Sequence, residues 1–259
     1  MGAHVMAEGF DRALFDYALR MGDNCLILSH RVSEWCGHAP ALEEDIALAN
    51  VALDLIGQTQ LWLGLAGAVE GKGRDADALA YLRDAGDFRN LLLCERPNVD
   101  FAHTMVRQAF FDLWHLHTLT ALQGSADARV AEIAEKARKE VAYHVQRSAD
   151  LVIRLGDGTA ESRARMQAAV DALWPYTGEM LTGDAVDAEL AARGVGPALG
   201  AAAPLWEADV ARLLEQATLT APKGAWMHRG GKTGRHTEAL GYILAEMQFL
   251  QRAYPGARW

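Results

Sequence analysis

The chain has 259 residues, 51% of them hydrophobic, and a formal net charge of −9. That length suits one large domain or two small ones with a sizeable core, and the acidic balance excludes nucleic acid or an anionic membrane surface as the main partner. The three cysteines, Cys25, Cys36 and Cys94, form no C-x-x-C pair, which fits a reducing cytosol and argues against a cysteine metal site.

Taken in order, the chain opens on "MGAHVMAEGF", which lacks the basic start and apolar stretch of a secretory signal. Residues 1–9 read as an N-terminal extension, with Met6 either an alternative start or the join of an added tag, and 10–259 as a single helical domain. Apolar residues recur three and four apart and strand signals are nearly absent. A first helix is expected over 10–35, ending near Gly37. Pro40 opens a second that runs to about Gly71, with Glu43, Glu44 and Asp45 in its first turn, where the positive helix end favours them. A loop with a short helix follows. Asp100 is placed to cap a third long helix through Gln123, and Gly124 and Ser125 break it. A fourth runs over 128–155 and stops at "GDG". Shorter pieces are expected over 160–181, interrupted at Pro175, then 184–193 and 203–217. A long loop over 218–236 precedes a last helix over 237–253. No apolar run reaches the ~18–20 residues of a bilayer span, so no membrane partner is expected. Four long helices with short connections make an all-α bundle the default architecture.

Each long helix carries a polar residue inside its apolar stripe. At 100° per residue, Phe101, Met105, Gln108, Asp112, His115, Leu119 and Leu122 share one face. So do Ile133, Ala137, Glu140, His144, Leu151 and Leu155. On the second helix Ala47, Asp54, Leu61 and Leu65 align, and on the first Leu19, Asp23, Leu26, His30 and Glu34. Buried carboxylates need partners or water. One arrangement that would supply them is a di-metal centre, which takes a Glu from each of two helices and Glu-x-x-His from each of the other two; Glu34, Asp54, Asp112, His115, Glu140 and His144 are the candidates. The details favour a buried polar network instead, with the carboxylates paired to histidines, amides or arginines such as Arg31 and Arg107. No Glu-x-x-His occurs in the chain. Gly57 stands where the second helix should offer a histidine. Aspartate is one methylene short, ~1.5 Å of reach, against ligand tolerances of about 0.2 Å.

Four stretches, "RMGDNCLILSHRVSEWCGHAPALEEDIALANVALDLIGQ", "NLLLCERPNVDFAHTMVRQAFFDLWH", "KEVAYHVQRSADLVIRLGDGT" and "RGGKTGRHTEALGYILAEMQFLQRAYPGARW", resemble the C subunits of the bacterial phenylacetyl-CoA ring epoxidases. The resemblance implies a ferritin-like four-helix bundle with additional C-terminal helices and a non-catalytic, structural role in aerobic phenylacetate breakdown. It implies a di-iron centre in a homologous catalytic A subunit and no cofactor in this chain. A small B subunit and a flavin and iron–sulfur reductase would complete the assembly, and a homodimer of the isolated chain stays in play. The competing readings are a di-metal carboxylate oxygenase active in its own right and a helical binding protein unrelated to oxygen. Metal analysis separates the first of these from a structural subunit, and co-purification with the catalytic partner separates the second.

"PKGAWMHRGGKTGRH" is a basic stretch in an acidic chain. Its "GGKT" fails the phosphate-loop pattern, because Trp226 stands where a glycine is required. Lys232 and Arg235 are candidates for an anionic contact, with the CoA phosphates or an acidic partner; the alternative is a loop tied to the chain's own acidic residues. The tryptophans and "FFDLWH" are expected in the core or at a partner interface.

Overall fold

The computed structural model describes residues 2–257, with side chains from Arg12 onward; the N-terminal extension expected over 1–9 therefore lies outside the described side chains. The fold class is all-α, in keeping with the ferritin-like reading, and no strand occurs among the described residues. Within the span read as one domain the chain packs as two compact units, Met1–Pro97 with Gly230–Trp259, and Asn98–Arg229.

The first unit is built on a hairpin of two long helices, α1 (Gly2–Ser33) and α2 (Leu42–Glu70). They run antiparallel: Gly22 lies against Leu63, while three residues further along α1 the Cys25 thiol meets the Gln58 amide oxygen at 3.7 Å. A Cβ on Gly22 would sit 2.6 Å from Leu63 Cδ2, so a side chain at that position would force Leu63 to shift. Leu14, Ile27, Leu28, Leu48, Leu55, Trp62 and Leu63 are fully buried, each contributing roughly 1.5–3 kcal/mol. Asp45, in the first turn of α2, accepts from the Gly37 N–H at 2.7 Å and so closes the turn between the helices. By length and composition alone α2 is long and apolar enough to cross a membrane, although Asn50, Asp54, Gln58 and Gln60 interrupt its apolar residues; 44% of its most apolar stretch is buried. A short helix α3 (Ala76–Tyr81), capped by Asp75, leads into an irregular segment up to Pro97.

The second unit is centred on α4 (Phe101–Leu122), buried along most of its length. Asp100 caps it as expected, accepting from the His103 N–H at 2.9 Å. The chain turns back over 123–127 into α5 (Ala128–Gly156), then α6 (Ala160–Leu173), which gives way to a 3₁₀ turn at Pro175. Three more helices follow: α7 (Gly178–Leu181), α8 (Ala185–Ala192) and α9 (Ala202–Gln216). Trp206 on α9 donates its indole N–H to the Phe110 carbonyl at 2.8 Å and joins Phe110 and Trp174 in an edge-packed aromatic cluster. His117 and Asp209 add a 2.6 Å contact between α4 and α9. Phe110, Phe111 and Trp114 of "FFDLWH" are therefore core. A Cβ on Gly156 would lie 2.4 Å from the Ala217 carbonyl oxygen, so the end of α5 packs on backbone that cannot give way.

Chain from Gly230 onward rejoins the first unit. The last helix, expected as one element, is two: α10 (Glu238–Met247) and α11 (Phe249–Ala253). Between them the buried Gln248 turns its amide onto the Ala80 and Arg83 carbonyls, both at 3.0 Å, and that anchor marks the interruption.

Candidate functional site

The polar seam expected on the third long helix is realised on α4. Gln108, Asp112 and His115, four and three residues apart, are all buried. Asp112 Oδ2 accepts from the Ser148 hydroxyl on α5 at 2.9 Å, while Oδ1 has no hydrogen-bond partner. The same is true of both amide atoms of Gln108 and both ring nitrogens of His115. The His115 ring instead lies against Phe111 at 5.0 Å and is stacked on Trp114 at 6.1 Å. Burial has the expected electrostatic effect. It pushes the Asp112 carboxyl up to about 6, against the pull of His144, the Ser148 hydroxyl and Arg147. Burial, reinforced by the neighbouring His144, drives His115 down to about 3, so its imidazole is neutral at pH 7.

Of the six candidate ligands, Glu34 and Asp54 belong to the first unit and Asp112, His115, Glu140 and His144 to the second. Asp112, His115 and His144 share one electrostatic neighbourhood in the second unit, and Glu140 lies half-buried one turn before His144. Glu34 is exposed, accepting from Arg31 at 2.7 Å. Asp54 is half-buried on α2. Among the described residues no group of three or more His, Cys, Asp or Glu side chains is placed to hold a metal ion. A di-iron centre takes four carboxylates and two imidazoles; the second unit's candidates are two carboxylates, Asp112 and Glu140, and two imidazoles, His115 and His144. Of the two arginines suggested as carboxylate partners, Arg31 pairs with Glu34 at 2.7 Å and also holds the Glu95 main-chain carbonyl at 2.9 Å, and Arg107 donates to the Asn98 amide oxygen at 2.7 Å.

The first unit contains a second polar cluster that sequence reasoning misses. Asp23, noted only as one residue of a seam, is fully buried and paired with the buried Arg83, whose Nη1 lies 3.0 Å from Oδ2; the Arg89 N–H donates to the same oxygen at 2.8 Å. The Arg83 guanidinium also lies 4.3 Å from the Phe88 ring centroid. Glu95 is fully buried too. It accepts from the Asn90 amide at 3.1 Å, the Thr237 N–H at 2.6 Å and His236 Nδ1 at 3.0 Å. The other ring nitrogen of His236 donates to the Phe88 carbonyl at 3.0 Å. A carbonyl only accepts, so Nε2 carries a proton, and the Glu95 carboxyl at Nδ1 favours the doubly protonated ring. Burial alone would lower the His236 pKa, but the Glu95 and Phe88 hydrogen bonds, with the charges of Glu95 and Asp23, outweigh it and raise it. The only sequence signal is Glu95 itself, one acid directly after the apolar run "LLLC".

The basic stretch is therefore anchored at its end by the chain's own carboxylate. Lys232 sits half-buried on a 3₁₀ turn, Gly231–Thr233, and Arg235 is exposed just after it. Earlier in the stretch Trp226 is 81% exposed, and His228 stacks on Tyr176 at 4.6 Å.

Comparison with known proteins follows the same line. The chain is 47% identical over 243 residues to the C subunit of the 1,2-phenylacetyl-CoA epoxidase of Escherichia coli (strain K12), a match that covers 94% of this chain and 98% of that protein. It matches the phenylacetic acid catabolic protein family over residues 1–259, and with that full-length match the chain belongs to this family.

Proposed function

We propose that this chain is the non-catalytic, structural subunit of a multicomponent di-iron monooxygenase that epoxidises the aromatic ring of phenylacetyl-CoA in the cytoplasm. Its partners are a homologous catalytic A subunit that holds the di-iron centre, a small B subunit and a flavin and iron–sulfur reductase. The observation that carries the reading is the near full-length identity to an epoxidase C subunit. The partners of three candidate ligands support it: on α4 Asp112 accepts a hydroxyl and His115 packs on aromatic rings, and Glu34 after α1 pairs with arginine. The test is co-expression with the catalytic A subunit, with and without this chain, followed by iron analysis of each chain and an assay of ring epoxidation with reductase supplied. The expected result is epoxidation only when both chains are present, with the iron in the partner. Two tightly held irons in this chain alone, with turnover, would overturn it.

Lys232 and Arg235 belong to this proposal as an anionic contact, with the CoA phosphates or an acidic surface of a partner. Neutralising both, as Lys232→Gln with Arg235→Gln, should weaken assembly or the apparent affinity for the CoA ester several-fold. The loss should shrink at high salt, since exposed charges are screened over ~8–10 Å. Assembly and affinity both unchanged would mean that the stretch serves only its own chain, as His236 serves Glu95.

A further inference from the structure

The loop that closes the second unit after α9 holds an indole out in solvent. Trp226 is 81% exposed, so it gains almost nothing from burial. The backbone around it is nonetheless fixed on the 3₁₀ turn Trp174–Tyr176 and the start of α7. The His228 N–H donates to the Pro175 carbonyl at 2.8 Å. The exposed His228 ring stacks on Tyr176 at 4.6 Å with the planes 19° apart. Met227 packs on Gly178, where a Cβ would lie 2.8 Å from its Cγ. A well-anchored loop thus presents an indole two residues from a stacked imidazole–phenol pair.

The charges around these rings have one sign. Lys223 and Arg229, three residues to either side of Trp226, are exposed, and neither forms an ion pair among the described residues. Three residues of chain span ~10 Å at most. No carboxylate occurs in the sequence between Glu215 and Glu238. Exposed rings bind planar bases by stacking, and free lysine and arginine bind phosphate. A long polyanion would be repelled by a chain of net charge −9, which leaves a short one. We propose that Trp226, with Lys223 and Arg229, holds the phosphorylated adenosine end of a CoA thioester, the base on the indole and the phosphates on the two cations. The inference rests on the reading of this chain as a subunit of an enzyme acting on a CoA ester. It gives the chain a share in holding that substrate, at residues separate from Lys232 and Arg235.

The test has two arms. In the first, the isolated chain is titrated with CoA, 3′,5′-ADP, inorganic pyrophosphate and oligoadenylate, and the emission of Trp226 is taken as the difference between the parent and Trp226→Phe. CoA and 3′,5′-ADP should quench it saturably, and pyrophosphate only weakly. In the second, the assembled enzyme is assayed for epoxidation. Trp226→Ala should raise the KM for phenylacetyl-CoA about fivefold or more with kcat unchanged, the mark of binding lost equally from ground and transition states. Trp226→Phe, which keeps a ring, should recover most of the loss. Lys223→Gln with Arg229→Gln should raise KM a few-fold, and less at high salt. These side chains are exposed, so circular dichroism and Tm of the variants should match the parent. An unchanged KM for Trp226→Ala in a fully active assembly would overturn the inference and leave the subunit reading standing. Full epoxidation without this chain would overturn the subunit reading and this inference with it. Loss of assembly in Trp226→Ala, quenching by pyrophosphate equal to that by CoA, or oligoadenylate binding more tightly than CoA would assign the loop to a partner, to phosphate alone or to nucleic acid, and each would overturn the proposal.

Discussion

The two units bury acids in opposite ways. In the first, Asp23 and Glu95 are fully buried, and each is met by a basic side chain and by main-chain or amide N–H donors: Arg83 and the Arg89 N–H for one, His236, Asn90 and the Thr237 N–H for the other. In the second, Asp112 receives the Ser148 hydroxyl and moves toward its neutral form, while His115 gives up its charge. Desolvation is the same cost in both places. One unit offsets it with partners; in the other it shows as shifted pKa values. The first solution makes a tie that fails when either partner is removed; the second makes a seam that tolerates neutral replacements.

The sharpest way to break the contrast is to remove one cation of the first unit. Arg83→Met should cost about 3–5 kcal/mol in urea unfolding, because Asp23 is left charged and buried. Asp112→Asn, its counterpart in the second unit, should instead stabilise the chain at pH 7–8 by about 1–3 kcal/mol, since the folded state no longer holds an unwillingly ionised carboxyl. A loss for Asp112→Asn comparable to that of Arg83→Met would erase the distinction.

The pH dependence of stability sharpens it further. His236 has a raised pKa in the folded state, so its contribution is complete below 6.5 and is lost as pH rises through its folded value. His236→Gln should be less stable than the parent at pH 6, and the gap should narrow as pH rises. Asp112, also raised, stabilises below 3.8 and loses that contribution as pH climbs through about 6. His115, lowered to about 3, does the reverse: its contribution is present above 6.5 and is lost as pH falls. The two oppose each other between 3.8 and 6. Asp112→Asn should therefore decline more steeply than the parent as pH falls through that window, and equal slopes in parallel melts would refute the pairing of shifts.

Smaller effects are expected from the neutral members. Gln108→Leu should be neutral or stabilising by about 1 kcal/mol, since both polar atoms of the buried amide go unpartnered. Asp100→Ala, which removes the cap of α4, should cost about 1 kcal/mol, read as a drop in Tm.

Local rules make much of this legible in the sequence. The three-and-four spacing on α4 puts Gln108, Asp112 and His115 on one face, and the Asp100 cap and the break at Pro175 follow from single residues. The Glu95–His236 tie does not, because its partners are 141 positions apart and sit in segments without periodicity. The inward face of α2 is hidden for another reason. The helix is apolar nearly all round, so the face aligned with Asp54 and the face aligned with Leu53 look alike until packing against α1 distinguishes them. The single last helix over 237–253 misleads because nothing in its pattern reveals that Gln248 is held by the Ala80 and Arg83 carbonyls.

The first unit is discontinuous: its opening 97 residues are completed only by Gly230–Trp259. During synthesis the ribosome delivers Glu95 long before His236, and the whole second unit emerges in between. Until the C-terminal segment is released, Glu95 has neither its imidazolium nor the Thr237 N–H. The second unit can therefore mature first, while the first waits. Arrested nascent chains ending near residue 229 should show protease-resistant α4–α5 fragments and labile α1–α2 fragments, with protection of the latter arriving only after termination. Early protection of α1–α2 in the arrested chains would mean that its core closes without the C-terminal strap.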